Sequence, residues 1–440
     1  MWGRTCGSIA SRTERIDGGV RIALARRRRL EGKAGGYRTE EAIRAATSGL
    51  TLQAGVVGRM TTPTPTDLKP ELHAAVEDIE TPAVVVDLDV MERNVAAYAD
   101  FADEHDVTLR SHTKTHKVPA IAHWQAEVGG GGIVCQTLSE VEVMAAAGID
   151  DVYLSYMVVG ERKLDRLVAL SGRLDRFATT VDGHGNLDPL QEAAARHDAT
   201  VDVVLEVDVG LGRVGVQRGE PAVELAERID AAPNVRLDGV MGYEGHVAYG
   251  EDPPETEAEL ERRSLACMDD LAETVDAIEA AGIEVGTVGV GSTATARYSG
   301  THPVVDEIHP GMYPFMDAHL AALPGIEKRD CALTVLATVI SAPPDDRVVV
   351  DAGSKSVSLE LDVDPLYAGA ADDAIRYANA SEEHGSIDVS DLDRDLSVGG
   401  RLAFIPPHVC PTINLHDTLV GVRDGRVRRV WSVQGRGKVK

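Results

Sequence analysis

The sequence is short of lysine, of paired cysteines and of long apolar runs, and each shortage removes a class of function. Nine residues of the 440 are lysine, and 44 Lys plus Arg stand against 71 Asp plus Glu, a net charge of −27. A surface so acidic repels phosphate backbones and anionic headgroups, which argues against nucleic acid or a membrane as partner. The charge exceeds what solubility requires and fits a halophilic protein that must stay hydrated in concentrated salt. The five cysteines, Cys6, Cys135, Cys267, Cys331 and Cys410, are odd in number and scattered. They suit a reducing, cytoplasmic compartment rather than a disulfide framework. No apolar run reaches the roughly 18 residues of a membrane span. A chain of this length buries a core without staples and should hold about two domains.

Residues 1–59 differ in charge from the rest of the chain. They carry 12 Lys plus Arg against 5 Asp plus Glu, net +7, while the remaining 381 residues carry 32 against 66, net −34. The run Arg26 to Arg29 has no apolar stretch after it, so a targeting peptide is disfavoured. A non-structural leader ahead of a true start at Met60 is expected. The domains expected beyond it are 60–330 and 331–440.

From Thr81 the texture is that of an α/β protein. Residues 83–88 form a short apolar run of the kind a buried strand shows. Further strands are expected at 133–135, 152–155, 177–181, 201–207, 239–242 and 285–290. Between them lie helices near 139–147, 161–170, 186–196, 221–229 and 257–281. The count approaches eight βα units over about 240 residues, the size of a (β/α)8 barrel. An open, doubly wound sheet is the rival, but no G-x-G-x-x-G follows the first strand. After about Ala332 the residues become β-rich, at 334–341, 347–351, 402–405, 417–423 and 426–433. Asp424-Gly425 is a hairpin signal, so a second, mostly antiparallel β domain is expected.

Four constellations carry chemistry. The stretch Leu109-Arg110-Ser111-His112-Thr113-Lys114-Thr115-His116-Lys117 reads as a strand end that presents Lys114 among other cations. Neighbouring cations and partial burial both favour the neutral, nucleophilic amine, the form a Schiff base needs; a solvated basic turn would look the same. Gly291-Ser292-Thr293 and Gly311-Met312-Tyr313 fall late in the barrel, where backbone N–H and hydroxyl groups can hold a phosphate. Arg213 and Tyr243 end two other strands, the guanidinium suited to a carboxylate or phenolate oxygen. His408-Val409-Cys410 offers imidazole and thiolate two residues apart, a pair that favours zinc with water or substrate completing the shell.

From about Thr81 to the C-terminus the chain resembles the D-serine dehydratase/D-threonine aldolase group, fold-type III pyridoxal-phosphate enzymes related to alanine racemase. The match runs through residues 109–117, 208–215, 242–246 and 307–317. In the second domain it runs through 351–355, 382–384 and 408–417. The resemblance implies that Lys114 rather than Lys117 carries the cofactor, although Ser111 stands where a proline is usual. It also implies cofactor contacts from His112, Arg213, Tyr243, Gly291, Ser292, Thr293, Gly311, Met312 and Tyr313, with Lys114, Tyr243 and Arg213 catalytic. A divalent metal on His408 and Cys410, zinc with manganese as the alternative, would act on the substrate hydroxyl. The implied substrate is a small D-3-hydroxy amino acid and the implied assembly a homodimer. In the family His-x-Cys goes with dehydratases and His-x-Asp more with aldolases, so dehydration to a 2-oxo acid and ammonia is expected. Cleavage to glycine and an aldehyde is the alternative, with a racemase and a non-catalytic cofactor carrier behind it.

Overall fold

A computed structural model describes residues 70–440 apart from residues 251, 344–345, 362, 370–373 and 394–395. The leader expected at 1–59 lies outside the described residues. Strand β1 (Ala83–Asp87) runs into helix α1 (Leu88–His105). The Asp87 carboxylate caps that helix by accepting from the N–H groups of Asp89 and Val90 at 3.0 and 3.1 Å.

Strands and helices then alternate through β2 (Thr108–His112), α2 (Pro119–Gly129), β3 (Gly130–Cys135) and α3 (Leu138–Ala146). They continue through β4 (Asp151–Leu154), α4 (Glu161–Ser171), β5 (Arg176–Val181), α5 (His184–Arg196) and β6 (Val201–Val207). The remainder are α6 (Glu220–Asp230), β7 (Val235–Gly242), α7 (His246–Tyr249), α8 (Glu257–Ala280), β8 (Thr287–Val290), α9 (Ala296–Ser299) and β9 (Glu307–Ile308). Strands β2 to β9 pair in parallel and close on themselves, with Thr108 opposite Glu307 and Leu109 opposite Ile308 at the joint. The eight-stranded barrel is present.

Its membership differs from the expectation in one strand. β1, expected as the first barrel strand, pairs antiparallel with β10 (Leu333–Ser341) and parallel with β16 (Thr418–Arg423). Val84, Val85 and Val86 are all buried. A run covered on both faces looks alike in a barrel and in a sandwiched sheet, so its pattern cannot tell them apart. The eighth barrel strand is the two-residue β9.

After α10 (Ala318–Ala321) the chain enters the second sheet, whose other strands are β11 (Arg347–Val350), β12 (Leu366–Tyr367), β13 (Arg376–Ala380), β14 (Gly385–Asp388), β15 (Arg401–Ile405) and β17 (Arg426–Ser432). The order is β11-β14-β13-β12-β15-β10-β1-β16-β17, antiparallel except at β1–β16. Asp424 and Gly425 both have positive φ, 52° and 67°, and turn β16 into β17 as the Asp-Gly signal implies. Helix α11 (Val409–Leu415) follows β15. One apolar cluster joins the two lobes, taking Val118 and Ile121 from α2, Phe315 from the barrel's last loop, and Val409 and Ile413 from α11. That seam fixes the barrel's C-terminal end against α11.

Candidate functional site

Inward-facing side chains stack in layers inside the barrel. Val134, Tyr153, Ala178, Val204 and Met241 form one layer, from five successive strands. Strand alternation makes Gln136, Ser155, Thr180, Glu206 and Tyr243 the next positions toward the C-terminal end. This upper layer is polar and floors the candidate site. Below the apolar layer, Arg110 binds Glu307 at 2.9 Å and Asp151 at 2.7 Å.

Lys114 stands above the polar layer. It does not continue the extended strand: residues Thr113–Thr115 make a single 3-10 turn, started by His112, whose Nδ1 accepts from the Lys114 N–H at 3.4 Å. The strand therefore stops at His112. Lys114 Nζ donates to Gln136 Oε1 at 3.2 Å, and His112 Nε2 meets the same oxygen at 3.1 Å. Gln136 in turn donates to the Ser155 carbonyl at 2.8 Å.

Burial, and after it Arg213, lowers the Lys114 pKa, with Cys410, Glu140 and Glu206 pulling the other way. Of the two expected causes, burial leads, and the neighbouring cations in the stretch itself recede. Arg110 is spent on Glu307 and Asp151, and Lys117 pairs with Glu140 at 3.0 Å. Those two cations are neutralised, Arg213 still contributes, and desolvation does most of the work. His112 is likewise pushed well below the usual histidine range by burial, then by Lys114 and His309.

Arg213 is carried on a loop folded back onto β6. Asp208 Oδ1 accepts from the N–H groups of Gly210 and Gly212, both at 3.0 Å. At Gly215, φ is +102° and a Cβ would sit 2.6 Å from the Asp208 nitrogen, so only glycine closes this loop. The guanidinium then lies 4.9 Å from the centre of the Tyr243 ring, over its face. Burial, with Glu244 and Cys410 adding and Arg213 opposing, pushes the Tyr243 phenol up to about 12.

The two glycine-rich segments meet, since the Met312 N–H donates to Thr293 Oγ1 at 2.9 Å. A Cβ at Gly311 would lie 3.1 Å from Thr115 Oγ1, so this segment approaches the Lys114 turn closely. Some donors expected to be free are engaged: the Gly291 N–H with Glu244 at 3.1 Å, and the Ser292 N–H with Thr295 Oγ1 at 3.1 Å. The Tyr313 side chain faces away from the cradle. It is fully buried behind β2, its hydroxyl bonded to Ser111 at 2.7 Å and Gln125 at 3.1 Å, and its ring packs on Tyr98. Its phenol therefore belongs to the barrel wall.

The second domain closes the site. His408 is the N-cap of α11 and Cys410 lies in the first turn, so their proximity comes from a helix start rather than extended backbone. Cys410 Sγ lies 3.3 Å from Thr115 Oγ1, beside Lys114. His408 is raised to about 9: burial lowers it, but hydrogen bonding and charge from Cys410, then Asp317 and Glu360, outweigh that. Buried Asp317 accepts from the Val409 N–H at 3.1 Å and fastens the turn to the barrel. No cluster of three or more metal-ligating side chains occurs among the described residues. The pair leaves room for water or substrate in a metal's shell.

Glu206, Gln136, Asp317 and Glu360 escaped the sequence reading. A signal existed for Glu206, a lone carboxylate in the apolar run Val203-Val204-Leu205-Glu206-Val207. Burial, with Asp182 and Asp208 adding and Arg213 and Lys114 opposing, raises it to about 7.

A phosphorylated pyridine fits this cradle. The buried Tyr249 hydroxyl sits beside Ser292 without a well-formed hydrogen bond. Comparison with known proteins agrees. The family model of the alanine racemase N-terminal domain matches residues 86–319, and that of the putative serine dehydratase domain matches residues 332–422. The chain belongs to this family. A D-threonine aldolase from Arthrobacter sp. is 37% identical over 361 residues, covering 82% of this chain and 93% of that protein. A D-threo-3-hydroxyaspartate dehydratase from Delftia sp. (strain HT23) is 31% identical over 354 residues, covering 76% and 92%. The crystal structure of D-threonine aldolase from Filomicrobium marinum superposes with a TM-score of 0.78 at 36% identity, covering 84% of this chain and all of that one. The chain is a pyridoxal-phosphate-dependent lyase acting on D-hydroxy amino acids, as its relatives are. No described helix is long and apolar enough to cross a membrane.

Proposed function

We propose that the chain is a metal-assisted dehydratase of small D-3-hydroxy amino acids, D-serine dehydratase-like, releasing a 2-oxo acid and ammonia. The observation that carries this is the His408–Cys410 pair facing the Lys114 turn. The D-threo-3-hydroxyaspartate dehydratase has been solved as a histidine variant and as a cysteine variant two positions apart along its chain, the latter metal-free. That spacing matches His408 and Cys410.

Bound pyridoxal phosphate supplies an electron sink for charge developing at the substrate Cα. A divalent ion on His408 and Cys410 supplies a Lewis acid for the β-hydroxyl, zinc by the softness of the donors and manganese as the harder alternative. This chain's residues do the rest. The segments Gly291-Ser292-Thr293 and Gly311-Met312 would hold the phosphate between them, through donors other than the engaged N–H groups of Gly291, Ser292 and Met312, with the Tyr249 hydroxyl at hand. Lys114 Nζ, whose pKa burial lowers, would hold the cofactor's aldehyde carbon and is the group placed to take the Cα proton. Gln136 holds Nζ and His112 in one orientation. Tyr243 and Arg213 bound the opposite wall and exclude water. A homodimer is part of the reading, supported by the exposed Tyr156, Val159 and Val214 on loops after β4 and β6. The free thiols of Cys135, Cys267, Cys331 and Cys410 support a cytoplasmic setting.

The second reading is retro-aldol cleavage, favoured by 36–37% identity to D-threonine aldolases. The two differ at one bond. If the β-oxygen leaves with its electrons, ammonia follows; if it loses only a proton, Cα–Cβ breaks and glycine appears. Product analysis with D-serine and D-threonine, with and without chelator, decides. Ammonia and pyruvate from D-serine, abolished by chelation and restored by zinc, are expected. Glycine and acetaldehyde from D-threonine, with no ammonia from D-serine, would replace dehydration by cleavage.

A further inference from the structure

We propose that Glu360 is a positioning residue for the metal, holding the His408 ring so that Nε2 is the nitrogen turned to the ion. The inference rests on the proposed metal role of His408 and Cys410 and extends it to a residue outside the ligand pair.

The His408 backbone is held from several sides. Val409 donates to Asp317, Ala318 donates to the Pro406 carbonyl at 3.0 Å, and the Thr412 hydroxyl donates to the His408 carbonyl at 2.8 Å. None of these contacts touches the ring. An imidazole on a fixed backbone can still turn about its Cα–Cβ and Cβ–Cγ bonds and carry its proton on either nitrogen. The ring is hydrogen-bonded to Cys410, and Glu360 supplies the restraint on its other side, its Oε1 lying 2.5 Å from His408 Nδ1. It reaches there from the loop between β11 and β12, 48 residues upstream.

A carboxylate at Nδ1 selects the tautomer with its proton there and leaves the Nε2 lone pair for a metal. It also raises the electron density of the ring and so strengthens the bond to the ion. Outer-shell carboxylates of this kind are typically worth about 10–100-fold in metal affinity. A mere surface ion pair would contribute little, and Glu360 is half exposed. That exposure also means that replacing it costs the fold little.

The test compares the full-length protein with Glu360→Ala, Glu360→Gln and the distant surface control Glu104→Gln. Each is stripped by chelator and titrated with zinc against a chromophoric competitor. Glu360→Ala should weaken zinc binding about 10–100-fold. Glu360→Gln keeps an acceptor oxygen and should recover part of the loss, while Glu104→Gln should bind as the parent does. At saturating zinc, kcat of Glu360→Ala should return toward the parent value, as orientation rather than chemistry was lost. Equal affinities of Glu360→Ala and the parent overturn the inference alone, and so does an equal loss in Glu104→Gln. A parent protein that binds no zinc overturns both the inference and the metal reading.

Discussion

At the scale of single residues, burial sets the ionisation of this site more than neighbouring charge does. Lys114 lost its expected cationic neighbours to ion pairs, yet its pKa still falls because the amine is desolvated. Glu206 shows the same cause with the opposite sign. Its carboxyl rises from 4.5 to about 7, so the folded protein binds that proton more tightly than the unfolded chain does. The stability this confers is present below the unfolded pKa and is lost as pH rises through about 7. Removing the titration with Glu206→Gln should shift relative stability toward the variant by about 3 kcal/mol between about pH 4 and about pH 8. Urea unfolding of the cofactor-free proteins across that range checks it. A pH-independent difference would place the titration elsewhere.

At the scale of elements, the sequence spoke clearly where a pattern had a single structural meaning. Six barrel strands, β3 to β8, and the Asp424-Gly425 turn fall where apolar runs and turn residues put them. The residue types at Lys114, His408 and Cys410 were legible as chemistry. Four things were not. A run buried on both faces does not say which sheet owns it, so β1 was misplaced. A two-residue strand such as β9 or β12 carries no period. And β13, Arg376-Tyr377-Ala378-Asn379-Ala380, buries Tyr377 and leaves most of the rest outside, so its pattern is that of a loop. Site partners from distant elements, Glu360 and Asp317 above all, are invisible until the lobes meet. The seam that brings them together centres on Phe315, fully buried between the last barrel loop and α11, with its ring 6.2 Å from that of His116. Phe315→Ala should cost about 3–5 kcal/mol in urea unfolding and weaken activity by loosening Cys410 from the Lys114 turn. A loss below about 1 kcal/mol would mean that the lobes are held by other contacts.

At the scale of the whole molecule, the charge decides behaviour in salt. Ion pairs such as those of Arg423 with Asp89 and Glu92, both 2.6 Å, weaken when screened. They are exposed and each contributes little, whereas residues 60–440 carry net −34. Self-repulsion should therefore outweigh lost pairing, and screening should stabilise the fold. Thermal unfolding should shift upward between about 0.1 M and about 2 M sodium chloride. A flat or falling Tm would make the acidity a solubility feature alone.

The most direct test of the site is chemical. Borohydride reduction of the cofactor-loaded protein, followed by peptide mapping, should place the pyridoxyl adduct on Lys114, within the peptide that also holds His112 and Thr115. An adduct on Lys117, which is paired with Glu140, or on Lys355, which is paired with Glu382 and Glu383 in the second domain, would contradict it.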